Sequence, residues 1–305
     1  MNGYNSLLKN AEVLSPEQRR DKVKGALFGF VVGDAMGLST KYMLPAEINR
    51  RFGTLSDIIG GGRHLQDAGD ITDNTKLMLC VASGIIKKPK YPITTIGEYF
   101  IEWFSKNPRD ISSSTRATIC MTKGLSNTPE AWKRAAINTK TALSSKTEGN
   151  NALARCLYPA LYYKNICDAE KTAVMQAKMT HFGNETVSAV TAYTNIIWNL
   201  VNFNVPKNST ISSAMGNIVF MQKPRPSSYV KDTLYTACYF AYHKDNLEDI
   251  ITSAVNIGGE ADTISALAGA IAGACFGYSK IPEKWIEKIK LDVKSNIAKI
   301  EKSCY

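Results

Sequence analysis

The chain has no apolar run long enough to cross a bilayer. Its longest such stretches, Ala26 to Leu38 and Ile264 to Tyr278, fall short of the roughly 20 residues that a spanning helix needs. Met1 to Gln18 is polar and holds no apolar signal core behind a basic start, so a secretory leader is not expected. Acidic residues are the scarcer charge, 27 Asp plus Glu against 37 Lys plus Arg, for a net charge of +10. The excess is scattered, with its densest pieces at Arg19 to Lys24, Lys87 to Lys90 and Lys280 to Lys302. It reads as solvated helix faces and loops rather than a nucleic-acid surface. Nowhere is there a G-x-S-x-G elbow, a P-loop, an H-E-x-x-H pair or a G-x-G-x-x-G turn after a strand, which argues against four common enzyme classes. The seven cysteines include no C-x-x-C pair and mostly sit in apolar runs. They are expected as reduced thiols of a cytoplasmic protein, not as a disulfide framework.

What the chain does have is a 44% apolar composition over 305 residues, enough for a substantial core. Ile286, Ile289, Val293, Ile297 and Ile300 recur at spacings of three and four with Lys and Glu between them, the pattern of an amphipathic helix. Similar patterns cover Leu77 to Ile86, Ile96 to Phe104, Leu153 to Tyr163, Val187 to Val201 and Leu234 to Ala241, whereas sustained apolar–polar alternation is sparse. The expected fold class is all-α: a flexible N-terminal segment over 1–18, then one compact helical domain over 19–305. Asn202 to Ser228, with three prolines, reads as the longest irregular connection. Gly25, Gly29, Gly33 and Gly37 recur every fourth residue, as do Gly269, Gly273 and Gly277 beside Ala266, Ala270 and Ala274. Each set falls on one helix stripe. A helix-interior glycine costs roughly 1 kcal/mol relative to alanine, so the two stripes predict a closely packed central helix pair.

Two short segments carry the chemistry. Thr72-Asp73-Asn74-Thr75 and Gly258-Gly259-Glu260-Ala261-Asp262-Thr263 each place carboxylate, hydroxyl or carboxamide oxygens just before a long apolar run that reads as a helix. Hard oxygen donors suit Mg²⁺, Ca²⁺ or Mn²⁺ rather than zinc. If both helix starts meet in space, they form a site.

These motifs, together with Gly25-Ala26-Leu27-Phe28-Gly29 through Gly33-Asp34-Ala35-Met36-Gly37, Gly149-Asn150-Asn151-Ala152-Leu153-Ala154-Arg155 and Thr180-His181, resemble in order and spacing those of the ADP-ribosylglycohydrolase family. The resemblance runs from about residue 20 to 290. It implies an all-helical single domain whose cleft holds the ribose at a binuclear Mg²⁺ centre (Mg²⁺ or Mn²⁺ in this chain), and cleavage of the N- or O-glycosidic bond between ADP-ribose and a modified side chain. By that likeness Asp73, Glu260 and Asp262 are the candidate catalytic carboxylates. Thr72, Asp73, Asn74, Glu260, Asp262 and Thr263 are candidate metal ligands, and Lys41, Gly149, Asn150 and His181 candidate substrate contacts. The implied partner is ADP-ribose or an ADP-ribosylated protein. Gly149-Asn150, at a helix start, offers backbone N–H groups to a diphosphate, while Arg155 reads as a buried structural residue. His181 has a bland reading too, as a hydrogen-bonded core residue.

Three departures from the family's pattern bear on the metal. Asn74 stands for the second aspartate of T-D-D-T, Glu260 for the first aspartate of G-G-D-x-D-T, and Lys41 for a glutamate after G-D-x-x-G. Asp73, Glu260 and Asp262 against Lys41 carry a formal −2, a match to one divalent ion and a poor one to two. Lys41 therefore reads either as a substitute cation in the site or as a solvent-facing loop residue. The expected activity is ADP-ribosyl hydrolysis with one ion or at most two. Kept beside it are a family member that binds ADP-ribose or an ADP-ribosylated partner without cleaving it, and related chemistry on another nucleoside conjugate.

Overall fold

The computed structural model describes residues 11–143 and 148–305. Helices dominate, and the one sheet among the described residues is a two-residue antiparallel pair, Glu12–Val13 with Phe203–Asn204. Of the segment expected to be flexible, residues 1–10 lie outside the described residues. The remainder carries that strand and the start of the first helix, Pro16–Gly37. Its start is written in the sequence. The Ser15 hydroxyl accepts from the Gln18 amide at 3.2 Å, and Gln18 Oε1 accepts from the Ser15 amide at 2.9 Å. This is a capping box with proline at the first helical position.

Pro16–Gly37 packs along Ala261–Phe276, and the two form the centre of the molecule. A Cβ on Gly29 would fall 2.2 Å from the Gly269 carbonyl oxygen, and one on Gly33 2.0 Å from that of Ser265. Only glycine lets the backbones meet so closely, and the contact offsets its poor helix propensity. The Ser265 hydroxyl donates across the seam to the Gly33 carbonyl at 2.6 Å. Gly277 packs against Gly25 but is not part of the helix that its spacing suggests. It lies one residue past the helix with φ +89° and terminates it, a role open to glycine because that backbone region strains other residues.

Two other expected helices are divided. Leu153 to Tyr163 splits into Asn151–Ala154 and Leu157–Tyr162, because Pro159 has no N–H for the Arg155 carbonyl and its ring would clash there. Ile286 to Ile300 splits into Glu283–Lys288 and Leu291–Lys302. At that break the Lys290 amide donates to the Gly69 carbonyl at 3.4 Å, tying the loop before Thr72 to the C-terminal helices. The irregular stretch expected over 202–228 contains a helix, Lys207–Ala214. No helix among the described residues is long and apolar enough to cross a membrane.

Candidate active site

The central pair positions both acidic segments. Asp262 lies in the first turn of Ala261–Phe276, against Gly37 at the end of the partner helix. Asp73 opens the helix Asp73–Lys87, whose cap is Thr72: its hydroxyl accepts from the Asn74 amide at 3.2 Å. The second segment is anchored to the first helix by Asp34, a fully buried carboxylate in the midst of an apolar run. Asp34 accepts from the hydroxyls of Thr72 and Thr75, each at 2.5 Å, and from the Thr72 amide at 3.0 Å. Burial and then the neighbouring Asp262 raise its pKa to about 6, while the two threonine hydroxyls oppose the rise.

Asp73 and Asp262 do meet. One oxygen from each, together with one from Asp110, lie within 4.8 Å of one another. Lys41 is among them, its Nζ 2.8 Å from Asp262 Oδ2 and 3.2 Å from both Asp110 oxygens. Its side chain is 10% exposed, so the solvent-facing alternative for this residue fails. Burial works against its charge, but Asp262, Asp110 and Asp73 outweigh burial and hold the ammonium above its ordinary pKa. Asn151 Nδ2 donates to Asp73 Oδ2 at 2.9 Å. Burial, reinforced by Asp110, lifts Asp73 well above the usual carboxylate range, with Lys41 opposing.

Asn74 acts as a donor here. Its Nδ2 faces Asp262 Oδ2 at 3.3 Å, Thr263 Oγ1 at 3.1 Å and Asp34 Oδ1 at 3.4 Å. An aspartate would present only acceptors at that point; the carboxamide instead bridges the two helix starts. Glu260 stands just outside the three-carboxylate cluster and accepts from Asn150 Nδ2 at 3.2 Å. Burial, then Asp262, raise its pKa, and Asn150 opposes. The Asn150 amide is not free for a diphosphate, since it donates to the Ser228 carbonyl at 3.0 Å, and the helix behind it has only four residues. Gly149 pairs with Tyr229 and faces the ring of His181.

The match to known proteins follows this geometry. The sequence model of the ADP-ribosylglycohydrolase family matches residues 15–304. The chain belongs to the ADP-ribosylglycohydrolase family. It is similar to ADP-ribosylarginine hydrolase Tri1 of Pseudomonas putida, with 30% identity over 93% of this chain and 78% of that protein. It is 28% identical to the ADP-ribosyl-(dinitrogen reductase) glycohydrolase of Rhodospirillum rubrum, over 91% of this chain and 93% of that one. A solved structure titled ADP-ribosylglycohydrolase-related protein complex superposes with a TM-score of 0.79 at 22% identity, covering 95% of this chain and 100% of the other. That last likeness speaks for the shared all-α fold. The family and these named relatives are ADP-ribosyl hydrolases, that is, glycosidases.

Within this member of the ADP-ribosylglycohydrolases, the residues fit a divalent ion. Asp262 Oδ1 is buried with no hydrogen-bond partner among the described residues. Such an orphaned carboxylate oxygen is costly unless a cation or donor meets it. Asp73, Asp110 and Asp262 against the Lys41 ammonium leave a formal −2, with Glu260 beside them, a negative charge that a divalent ion would offset. Three residues at the site were given no site role from the sequence: Asp34 and Asn151, which lie within the quoted motifs, and Asp110, which lies in none. Asp34 had a visible signal, a carboxylate inside an apolar helix, whereas Asp110 follows a loop without periodicity. A cavity of about 1000 Å³ lined by Ser188, Met215, Arg225 and Tyr235 contains none of these carboxylates. Chemistry rather than volume identifies the site.

Proposed function

We propose that this protein hydrolyses the glycosidic bond between ADP-ribose and a modified protein side chain, at a centre that takes one Mg²⁺ or Mn²⁺ and uses Lys41 as its second positive charge. The observation that carries this reading is the convergence of Asp73 and Asp262 with Asp110, from segments far apart in sequence, around one unpartnered carboxylate oxygen. Asp73, Asp110 and Asp262 would hold the ion, which when bound supplies positive charge to fix the ribose hydroxyls and polarise a water. Glu260 is half-buried, and burial followed by Asp262 raises its pKa, which makes its carboxylate a better proton acceptor. It is assigned the proton of the attacking water, with Asn150 orienting its carboxylate. Asn74 locks the two helix starts at a fixed spacing, so the site is formed before substrate arrives. The cytoplasmic setting remains part of the proposal, supported by seven unpaired thiols.

One observation favours a second reading, binding without cleavage: Lys41 is already paired with Asp262 and Asp110. Incubation with ADP-ribosylated arginine and serine substrates separates the two. Release of ADP-ribose that depends on Mn²⁺ or Mg²⁺ and disappears in Glu260→Gln supports hydrolysis. Stabilisation by free ADP-ribose, with no release at any metal concentration, supports the binding module.

A further inference from the structure

Behind the substrate-facing residues lies a buried cation that the proposed chemistry does not use. Arg155 is fully buried, and its guanidinium lies over the Phe100 ring at 4.9 Å. Its Nη2 donates to Thr180 Oγ1 at 2.7 Å, whereas Nε and Nη1 meet no acceptor among the described residues. Thr180 Oγ1 in turn lies 2.8 Å from His181 Nδ1. At the far side of the ring, His181 Nε2 is also buried with no partner among the described residues, 3.4 Å from where a Cβ on Gly149 would stand.

Hydrogen counting fixes the direction of this chain. A guanidinium only donates, so Thr180 Oγ1 accepts from Arg155. Thr180 is 1% exposed, and among the described residues the one other group bonded to its hydroxyl is His181 Nδ1. Were Nδ1 protonated, the hydroxyl would accept twice and strand its own hydrogen in a dry interior, which proteins avoid. The hydroxyl therefore donates to Nδ1, and the ring proton sits on Nε2. We propose that Arg155 is a positioning residue which, through Thr180, fixes His181 as the Nε2–H tautomer and so presents a neutral donor beside Gly149 to an acceptor oxygen of the bound ligand. This deepens the ADP-ribosyl reading, since the ligand oxygen is a ribose hydroxyl or a phosphate of that substrate. Gly149 places backbone with no side chain beside Nε2, and Asn150 next to it is hydrogen-bonded to Glu260. Burial and then the Arg155 charge push the His181 pKa down to about 3, which suits a fixed neutral donor and not a proton shuttle.

The test uses the full chain labelled with ¹⁵N-histidine. Thr180→Val keeps the shape of the side chain and removes its hydroxyl; Thr180→Ser keeps the hydroxyl. Ring nitrogen NMR of the wild type and Thr180→Ser should show a single Nε2–H tautomer for His181, and Thr180→Val a mixture of both. With Arg155→Met, provided its melting curve is cooperative, the tautomers should mix as well. Calorimetry with ADP-ribose should show binding weakened about tenfold in Thr180→Val, the loss of one well-placed hydrogen bond, and near wild-type binding in Thr180→Ser. An Nδ1–H tautomer in the wild type, or an unchanged tautomer and affinity in Thr180→Val, overturns the proposal. The tautomer measurement needs no ligand, so it decides the relay even where ADP-ribose fails to bind; that failure would count against the glycohydrolase reading alone.

Discussion

Replacing Lys41 by methionine removes the ammonium and keeps most of the side chain's bulk. In the wild type this charge sits 2.8 Å from Asp262 and 3.2 Å from Asp110, beside the oxygens that would hold an ion. Two unit charges about 4 Å apart interact by roughly 4 kcal/mol at an effective dielectric of about 20. Halving that for water at the mouth, where Asp110 is 19% exposed, leaves repulsion of about 2 kcal/mol per unit charge on the ion. Lys41→Met should therefore bind Mn²⁺ at least about thirty-fold more tightly in a calorimetric titration. The same change leaves Asp110 and Asp262 without their cation, and losing one member of a largely buried pair costs about 3 kcal/mol. The metal-free variant should thus melt below the wild type, and Mn²⁺ should restore it. A variant with unchanged or weaker Mn²⁺ affinity would refute the placement of this ammonium at the cation centre.

Other perturbations probe separate parts of the account. Asn74→Asp turns a donor that meets three oxygens into a fourth clustered carboxylate. It should lower metal-free stability by about 2 kcal/mol and tighten Mn²⁺ binding, read by urea unfolding with and without metal; Lys41→Glu combined with it should tighten binding further. Gly33→Ala drives a methyl into the Ser265 carbonyl and should destabilise the central pair by about 3 kcal/mol or more, measurable as a fall in soluble yield and melting temperature. His181, held down to about 3 from the ordinary imidazole value of about 6.5, contributes stability that is present above pH 6.5 and lost as pH falls toward 3. Unfolding free energy should drop on the order of 1 kcal/mol per pH unit across that window, and His181→Gln should flatten the slope by about one proton.

The helix pair was readable because glycine at every fourth position has a single physical use, backbone contact along one stripe, and the structure shows that contact at Gly29 and Gly33. The two acidic helix starts were readable for a similar reason: polar oxygens crowded before an apolar run have little to do in a core unless they cap or coordinate. Asp110 was not readable. It comes from a loop that includes Asn107 at φ +52°, and its pairing with Lys41 spans 69 positions. No local pattern encodes such a contact. Asp34 was visible as a residue but not in its role, because its five donors come from a segment that only the packed fold brings alongside. The break at Arg155 follows from Pro159 through a rule acting four residues back, whereas the engagement of the Asn150 amide by the Ser228 carbonyl comes from a distant loop that no local pattern encodes.

Chromatographic detection of free ADP-ribose released from an ADP-ribosylated protein, with Mn²⁺ and with chelator, tests the central claim most directly. The account predicts release by the wild type with metal, loss with chelator, and loss in Asp73→Asn and Asp262→Asn proteins that still melt cooperatively. Release that persists unchanged in both aspartate variants, or no release from any linkage while ADP-ribose binds, would contradict it.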